Sequence, residues 1–219
     1  MAAIVTRWWW IRHAPVTAHG GGIYGQEDYP ADCTDGDSFA ALAARLPAEP
    51  LWVTSHLRRT HETAAAILAA RGHGAADAPA WLIEPDLAEQ HVGGWHGLTH
   101  DQLNALRGAA DDPFLLWPAS ERAPDGESFL DVIERVGRAV ARLTARHRGR
   151  DIVAIAHGGS IRAALAIALG IDAERVMSFA VDNCSLTRLD HITDTSESGR
   201  ERSCWRVVTV NQPARTLSL

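Results

Sequence analysis

The sequence predicts a single α/β domain built on a largely parallel sheet with helices on both faces. Three observations carry that expectation. Short apolar runs without a helical or alternating period, Trp8-Trp9-Trp10-Ile11, Leu51-Trp52-Val53 and Ile152-Val153-Ala154-Ile155, read as strands buried on both faces. Helical patterns alternate with them through most of the chain. No internal repeat and no interdomain linker interrupts the 219 residues, a length that suits one sizeable core.

Taken in order, the first strand stops at Arg12-His13, and Pro15 follows within two residues. His19 to Asp37 is rich in Gly, Asp and Pro and reads as a long loop. Tyr24, Gln26 and Tyr29 give that loop side chains with which to pack, as a pocket wall would need. Asp37-Ser38 can cap a helix through Leu46, ended by Pro47. A second strand, Leu51 to Thr54, leads through Ser55 into an alanine-rich helix over Thr60–Ala70, stopped at Gly72. Ala80 to Ile83 is expected as a third strand, and Asp86 to Gly97 as a loop. A helix should run from Thr99 to about Arg107, and the proline-bearing stretch Asp111 to Gly126 should be irregular. Phe129, Val132, Ile133, Val136, Val140 and Leu143 have the spacing of an amphipathic helix within Glu127–His147. Asp151–Ala156 is a buried strand, Gly158–Leu169 the helix after it, and Ser185–Leu189 with Trp205–Val210 a neighbouring pair of closing strands.

Composition narrows the function classes. The chain is 46% apolar and 22% charged, a globular balance without a disordered tract. A formal net charge of −6 argues against a nucleic-acid or anionic membrane surface, so an anionic ligand must be held by local Arg and His. The tryptophans Trp8 to Trp10 are better used as core than as a base-stacking platform. Three cysteines (Cys33, Cys184, Cys204) are an odd count without zinc-ligand spacing, which favours a reduced, cytoplasmic protein. The N-terminus lacks a signal-peptide layout, and no apolar stretch approaches the roughly 18 residues that span a bilayer.

The chemistry gathers where strands end, the edge at which open α/β sheets bind ligands. The first junction delivers Arg12 and His13, the second Arg58 and Arg59, the third Glu89, and the strand ending at Ala156 delivers His157. Those groups suit phosphoryl transfer through a phosphohistidine. A neutral imidazole attacks phosphorus, guanidiniums match the equatorial oxygens, and a carboxylic acid protonates the departing alkoxide.

These segments resemble the histidine phosphatase superfamily, which includes phosphoglycerate mutases, fructose-2,6-bisphosphatases and alpha-ribazole phosphatases. Arg12-His13-Ala14 resembles its Arg-His-Gly motif. Ser55, Leu57, Arg59 and Thr63 match its Ser-x-Leu-x-Arg-x-x-x-Thr segment. Leu87, Glu89, Gly93, Trp95 and Gly97 match Leu-x-Glu-x-x-x-Gly-x-Trp-x-Gly, and Gly126-Glu127-Ser128 matches the Gly-Glu-Ser before a long helix. His157-Gly158-Gly159 matches the late His-Gly-Gly. The order of the motifs, over roughly residues 4 to 190, makes the likeness specific.

The resemblance implies a phosphoglycerate mutase-like α/β fold: a three-layer domain over 1–219 with a mostly parallel mixed sheet and a small lid from about 98–126. It implies that His13 is the nucleophile, that Arg12 and Arg59 bind phosphate, that His157 donates to the phosphoryl group, and that Glu89 is the general acid, with Glu127 the next carboxyl to consider. His19 falls where many members have a phosphate-contacting asparagine, and with Tyr24 it is expected to bind substrate. Ala14-Pro15-Val16 departs from the usual Gly-Glu-Thr, and Gly22-Ile23-Tyr24 replaces a segment that usually holds an arginine. The implied chemistry needs no cofactor and no metal. His91, His96 and His100 straddle a Gly-Gly loop without a supporting carboxylate pattern. The expected partners are a small phosphate ester and inorganic phosphate, with a homodimer as the one protein partner considered. The leading expectation is a phosphomonoesterase. The alternatives are mutase-type phosphoryl transfer, which the short stretch between Gly97 and Gly126 disfavours, and a silent phosphate-binding member, which would have lost His13 or Glu89.

Overall fold

A computed structural model describes residues 3–74, 76–108, 117–195 and 201–215. Its centre is one six-stranded sheet in the order β3-β2-β4-β1-β5-β6. Strands β1 (Ile4–Arg12), β2 (Leu51–Thr54), β3 (Leu82–Ile83) and β4 (Asp151–Ala156) run parallel. β5 (Leu186–Thr195) and β6 (Glu201–Gln212) are antiparallel to their neighbours. The sheet is therefore mixed, with the mostly parallel half carrying the helical connections.

Helices α1 (Gly36–Arg45) and α2 (Arg58–Ala70) cover one face; α4 (Phe129–Arg146) and α5 (Gly158–Leu169) cover the other. The period of two along a strand divides the core accordingly. Ile152, Ala154 and Ala156 of β4 join Trp8 and Trp10 against α4 and α5, while Val153 and Ile155 join Ile11 and Trp52 against α1 and α2. This is why β1 and β4 read as unbroken apolar runs. Trp9 is only half-buried: its Nε1 donates to Asp151 (2.8 Å) and the Arg188 guanidinium lies 4.4 Å over its ring. A third cluster (Val92, Trp95, Leu103, Trp117, Ala123) lies apart from the sheet faces, under α3 (His100–Arg107).

Several bounds differ from expectation. β3 keeps two residues of the expected four because it is an edge strand paired only to β2, with Leu82 and Ile83 exposed. β5 and β6 extend well past the expected apolar cores, since backbone pairing from Leu186↔Gln212 to Thr195↔Glu201 needs no apolar side chains. A short helix, α6 (Ala173–Met177), was not expected; the Asp172 side chain caps it by accepting from the Arg175 backbone N–H. Of the expected lid, 109–116 lies outside the described residues. The stretch 117–126 is irregular, as its prolines suggested.

Candidate active site

β1 and β4 end side by side, Arg12 opposite Ala156, and the next residues are His13 and His157. Their rings lie 5.1 Å apart between centroids. Four backbone and side-chain bonds pin the His13 segment. Its N–H donates to Ala156 O (2.9 Å), Asn183 Nδ2 donates to His13 O (2.8 Å), Cys184 N–H donates to Arg12 O (3.0 Å), and Ala14 N–H donates to Thr63 Oγ1 (2.9 Å). Ala14 has no positive φ, and its methyl group is buried with Ile11 and Leu42, so the position that is glycine elsewhere accepts a side chain here.

His13 Nδ1 lies 2.7 Å from Ala14 O. A carbonyl can only accept, so Nδ1 carries the proton and Nε2 keeps its lone pair. Burial, then the Arg59 and Arg12 charges, hold the imidazole down to about 3 against the bond to Ala14 O, so it is neutral across the physiological range. His157 is wholly buried and held well below the ordinary imidazole value, first by burial and then by Arg59. Its Nδ1 accepts from Arg59 Nε (3.3 Å) and its Nε2 lies 2.8 Å from Ser55 Oγ.

Arg59, in the first turn of α2, is 0% exposed although it is a permanent cation. Its Nη1 donates to Glu27 O and its Nη2 to Gly25 O, both at 2.7 Å, with the Tyr24 ring 5.2 Å below. The long loop is thus tied to this guanidinium. Arg58 points elsewhere: it pairs with Glu62. Arg12 donates from Nη1 to Val181 O (2.5 Å), and its buried Nε has no partner among the described residues. None of these interactions supplies a counter-ion. Among the described residues, no carboxylate lies within ion-pair distance of Arg12 or Arg59.

Glu89 reaches the same edge. Its Oε1 accepts from Gly159 N–H (3.1 Å), at the start of α5, and from Gln90 N–H (3.0 Å). A side chain on Gly159 would collide with Glu89 Oε1, which explains the glycine. The Glu89 backbone oxygen is held by Gln26 Nε2 (2.8 Å) and by Arg135 Nη2 (3.0 Å). Glu127 is engaged otherwise, paired to Arg135 at 2.8 and 3.0 Å. Beside Glu89 opens a cavity of about 260 Å³ whose walls include His19, Tyr24, Trp117 and Arg162. His19 Nδ1 is engaged with Gly22 O (2.9 Å) and its ring packs on Tyr24. Both residues line this cavity, and Tyr24 also lies against Arg59.

Sequence reasoning passed over Ser55 as a partner of His157, Asn183, Arg135 and Arg162. Arg135 was detectable, being a charge set among the apolar positions Val132, Val136 and Ala139 of α4. Arg162 and Asn183 carry no such signal. Among the described residues no cluster of His, Cys, Asp and Glu gathers as a metal site; His96 sits 3.8 Å from Glu27 alone.

Fold and site together define an α/β protein whose sheet edge gathers two buried histidines, a glutamate and two arginines without carboxylate partners among the described residues. A model of the histidine phosphatase superfamily, branch 1, matches residues 8–201. The chain is 35% identical over 174 residues to a glucosyl-3-phosphoglycerate phosphatase of Mycolicibacterium vanbaalenii, covering 74% of this chain and 73% of that one. It is 26% identical over 217 residues to the adenosylcobalamin/alpha-ribazole phosphatase of Escherichia coli, 96% and 93% of the two chains. Among solved structures, a mycobacterial hydrolase aligns at TM-score 0.77 and 28% identity, covering 98% of this chain and 94% of its own. A mycobacterial glucosyl-3-phosphoglycerate phosphatase complexed with VO3 aligns at TM-score 0.74 and 28% identity, covering 94% and 98%. The chain belongs to the histidine phosphatase superfamily. It is a phosphatase with the phosphoglycerate mutase-like fold.

Proposed function

We propose that His13 is the nucleophile of a phosphomonoesterase, forming and then hydrolysing a phosphohistidine. One observation carries the assignment: Nδ1 is tied to Ala14 O, which leaves a neutral Nε2 beside two guanidiniums that lack carboxylate partners. Arg12 offers its unpartnered Nε and its remaining N–H groups to the phosphoryl oxygens. Arg59 holds the loop carbonyls and still has one N–H on each terminal nitrogen to give. His157 donates to the phosphoryl group from Nδ1 in the tautomer protonated there: the Ser55 hydroxyl then donates to Nε2, and the Arg59 Nε–H, which Nδ1 accepts in this structure, turns to the phosphoryl oxygens instead. Glu89 gives its proton to the departing alkoxide, and its carboxyl then takes a proton from the water that attacks the phosphohistidine.

The leaving group occupies the cavity beside Glu89, with His19 and Tyr24 in its wall; His100 and Trp117, from the two described flanks of the expected lid, stand in that wall as well. The M. vanbaalenii relative acts on glucosyl-3-phosphoglycerate and the E. coli relative on alpha-ribazole phosphate or adenosylcobalamin phosphate, by their names. A small soluble phosphate ester, cleaved to an alcohol and inorganic phosphate, is what these share. A cytoplasmic location belongs to the same reading: all three cysteines are free, and no described helix is long and apolar enough to cross a membrane.

The test is a rapid quench with substrate followed by mass spectrometry. Phosphate should appear on the peptide holding His13, and His13→Ala should lose both the adduct and turnover. Hydrolysis by His13→Ala at the wild-type rate would refute the assignment.

A further inference from the structure

The end of β6 returns to the catalytic edge: Gln212 pairs with Leu186 of β5, and Leu186 pairs with Ile11 of β1. Just before Gln212 the ladder shifts register, and Asn211 takes a left-handed backbone (φ +51°), which asparagine adopts more readily than most residues. A bulge of this kind re-aims a side chain. Here it directs Asn211 onto the turn between α6 and β5. Asn211 Oδ1 accepts from the Asp182 backbone N–H (2.6 Å), and its Nδ2 donates to Asp182 Oδ2 (2.8 Å). The Asn211 backbone N–H donates to Thr187 Oγ1 (3.1 Å), which holds the bulge itself in place.

The turn gripped in this way is the one that clamps the reacting segment. Asp182 O accepts from Ser185 N–H (3.1 Å), and the next side chain, Asn183, donates from Nδ2 to His13 O (2.8 Å). No other described residue donates to that carbonyl, although His13 is only 1% exposed. On the other side of Asp182, Val181 O accepts from Arg12 Nη1. Asn183 therefore fixes the backbone from which the His13 ring projects, and the Asp182–Asn211 pair fixes the backbone from which Asn183 projects. We propose that Asn183 is a positioning residue for the His13 nucleophile and that the Asp182–Asn211 pair is the latch that holds it. This rests on His13 as the nucleophile and goes beyond it, by making the end of the C-terminal strand part of the attack geometry.

Swapping the two latch residues tests this. In Asn211→Asp two carboxylates oppose each other, while the left-handed backbone suits aspartate as well. In Asp182→Asn the new amide turns its oxygen to Asn211 Nδ2 and keeps the bond. In the double variant the carboxylate at 211 accepts both from the backbone N–H at 182 and from the new amide there. Single-turnover rapid quench gives the rate constant of phosphohistidine formation, which does not depend on how much of a preparation is folded. Asn211→Asp should lower it by about 3- to 10-fold, Asp182→Asn should stay within about twofold of wild type, and the double variant should recover it, as expected for exposed hydrogen bonds lost and restored. Asn183→Ala should lower it by about 10- to 100-fold, the range for a reacting group displaced by up to about 1 Å. Each loss should be equal on an alkyl phosphate and on p-nitrophenyl phosphate, because a displaced nucleophile slows both, whereas a disturbed general acid spares the aryl ester. An unchanged rate constant in Asn183→Ala, an Asn211→Asp loss that the second substitution fails to rescue, or losses confined to the alkyl ester overturn the proposal. If the wild-type enzyme forms no phosphohistidine, the His13 reading itself has failed, whereas an adduct at His13 formed at one rate in all variants removes only the latch.

Discussion

Arg135, on α4, holds the Glu89 segment, and its removal should damage stability and chemistry together. Its guanidinium makes five hydrogen bonds: two to Glu127 (2.8 and 3.0 Å), and one each to Asp86 O (2.7 Å), Ala88 O (2.9 Å) and Glu89 O (3.0 Å). In Arg135→Met the Ala88 oxygen keeps Ser160 Oγ (3.0 Å) and the Glu89 oxygen keeps Gln26 Nε2 (2.8 Å). Only Asp86 O is orphaned, at about 1–3 kcal/mol. Breaking a buried ion pair adds to this and brings typical totals to about 3–5 kcal/mol. The Glu127 side chain is 22% exposed, so water softens that loss and the lower end applies. A loss near 3 kcal/mol lowers Tm by about 6–12 °C for a chain of this size. Turnover should fall more for an alkyl phosphate than for p-nitrophenyl phosphate, because the Glu89 carbonyl loses one of its two partners while His13 keeps all of its own. Thermal unfolding and paired kinetics on the two esters test this. A stability loss under about 1 kcal/mol, or equal kinetic losses on both esters, would refute the role given to Arg135.

Glu89→Gln should cut turnover of an alkyl phosphate by about 10²–10⁴-fold and of p-nitrophenyl phosphate far less, since nitrophenolate leaves without a proton; matching losses would move the acid role elsewhere. Gly159→Ala should act on the same step. The new methyl displaces the Glu89 carboxyl, so alkyl-ester turnover falls even though alanine favours the helix by up to about 1 kcal/mol; unchanged activity would show that Glu89 need not sit where it does. His13 and His157 stay neutral in the fold far below the ordinary imidazole pKa of 6.5. Below that value the unfolded chain binds protons that the native state refuses, so stability is full above it and is lost as pH falls toward about 3. His13 contributes up to about 1.4 kcal/mol per pH unit in that window, and denaturation of His13→Gln at several pH values should show a flatter decline than wild type. An identical slope would mean that His13 is protonated in the native state.

How much could be read from the chain alone depended on how local each cause is. The apolar runs at Trp8–Ile11 and Ile152–Ile155, and the amphipathic spacing from Phe129 to Leu143, already contain the two-faced sheet and its covering helix, because periodicity is a property of consecutive residues. Arg12, His13, Arg59, Glu89 and His157 were legible for a related reason: each directly follows or nearly follows a strand, and a parallel sheet delivers all its strand ends to one edge. Cap chemistry is local too, and the Asp172 cap of α6 could have been read. Strand length was not, since β3, β5 and β6 take their extent from the partner backbone and not from their own apolar content. The same holds for the tautomer of His13, set by the carbonyl of Ala14 in a segment clamped by Asn183, Cys184 and Thr63. Only the tertiary structure decided that Arg59 would be buried against loop carbonyls, that Arg135 would reach the Glu89 backbone, and that Arg162 would face the cavity beside Glu89. Those are pairings between residues far apart in sequence, and a charge on a helix does not announce which carboxylate or carbonyl the fold will place beside it.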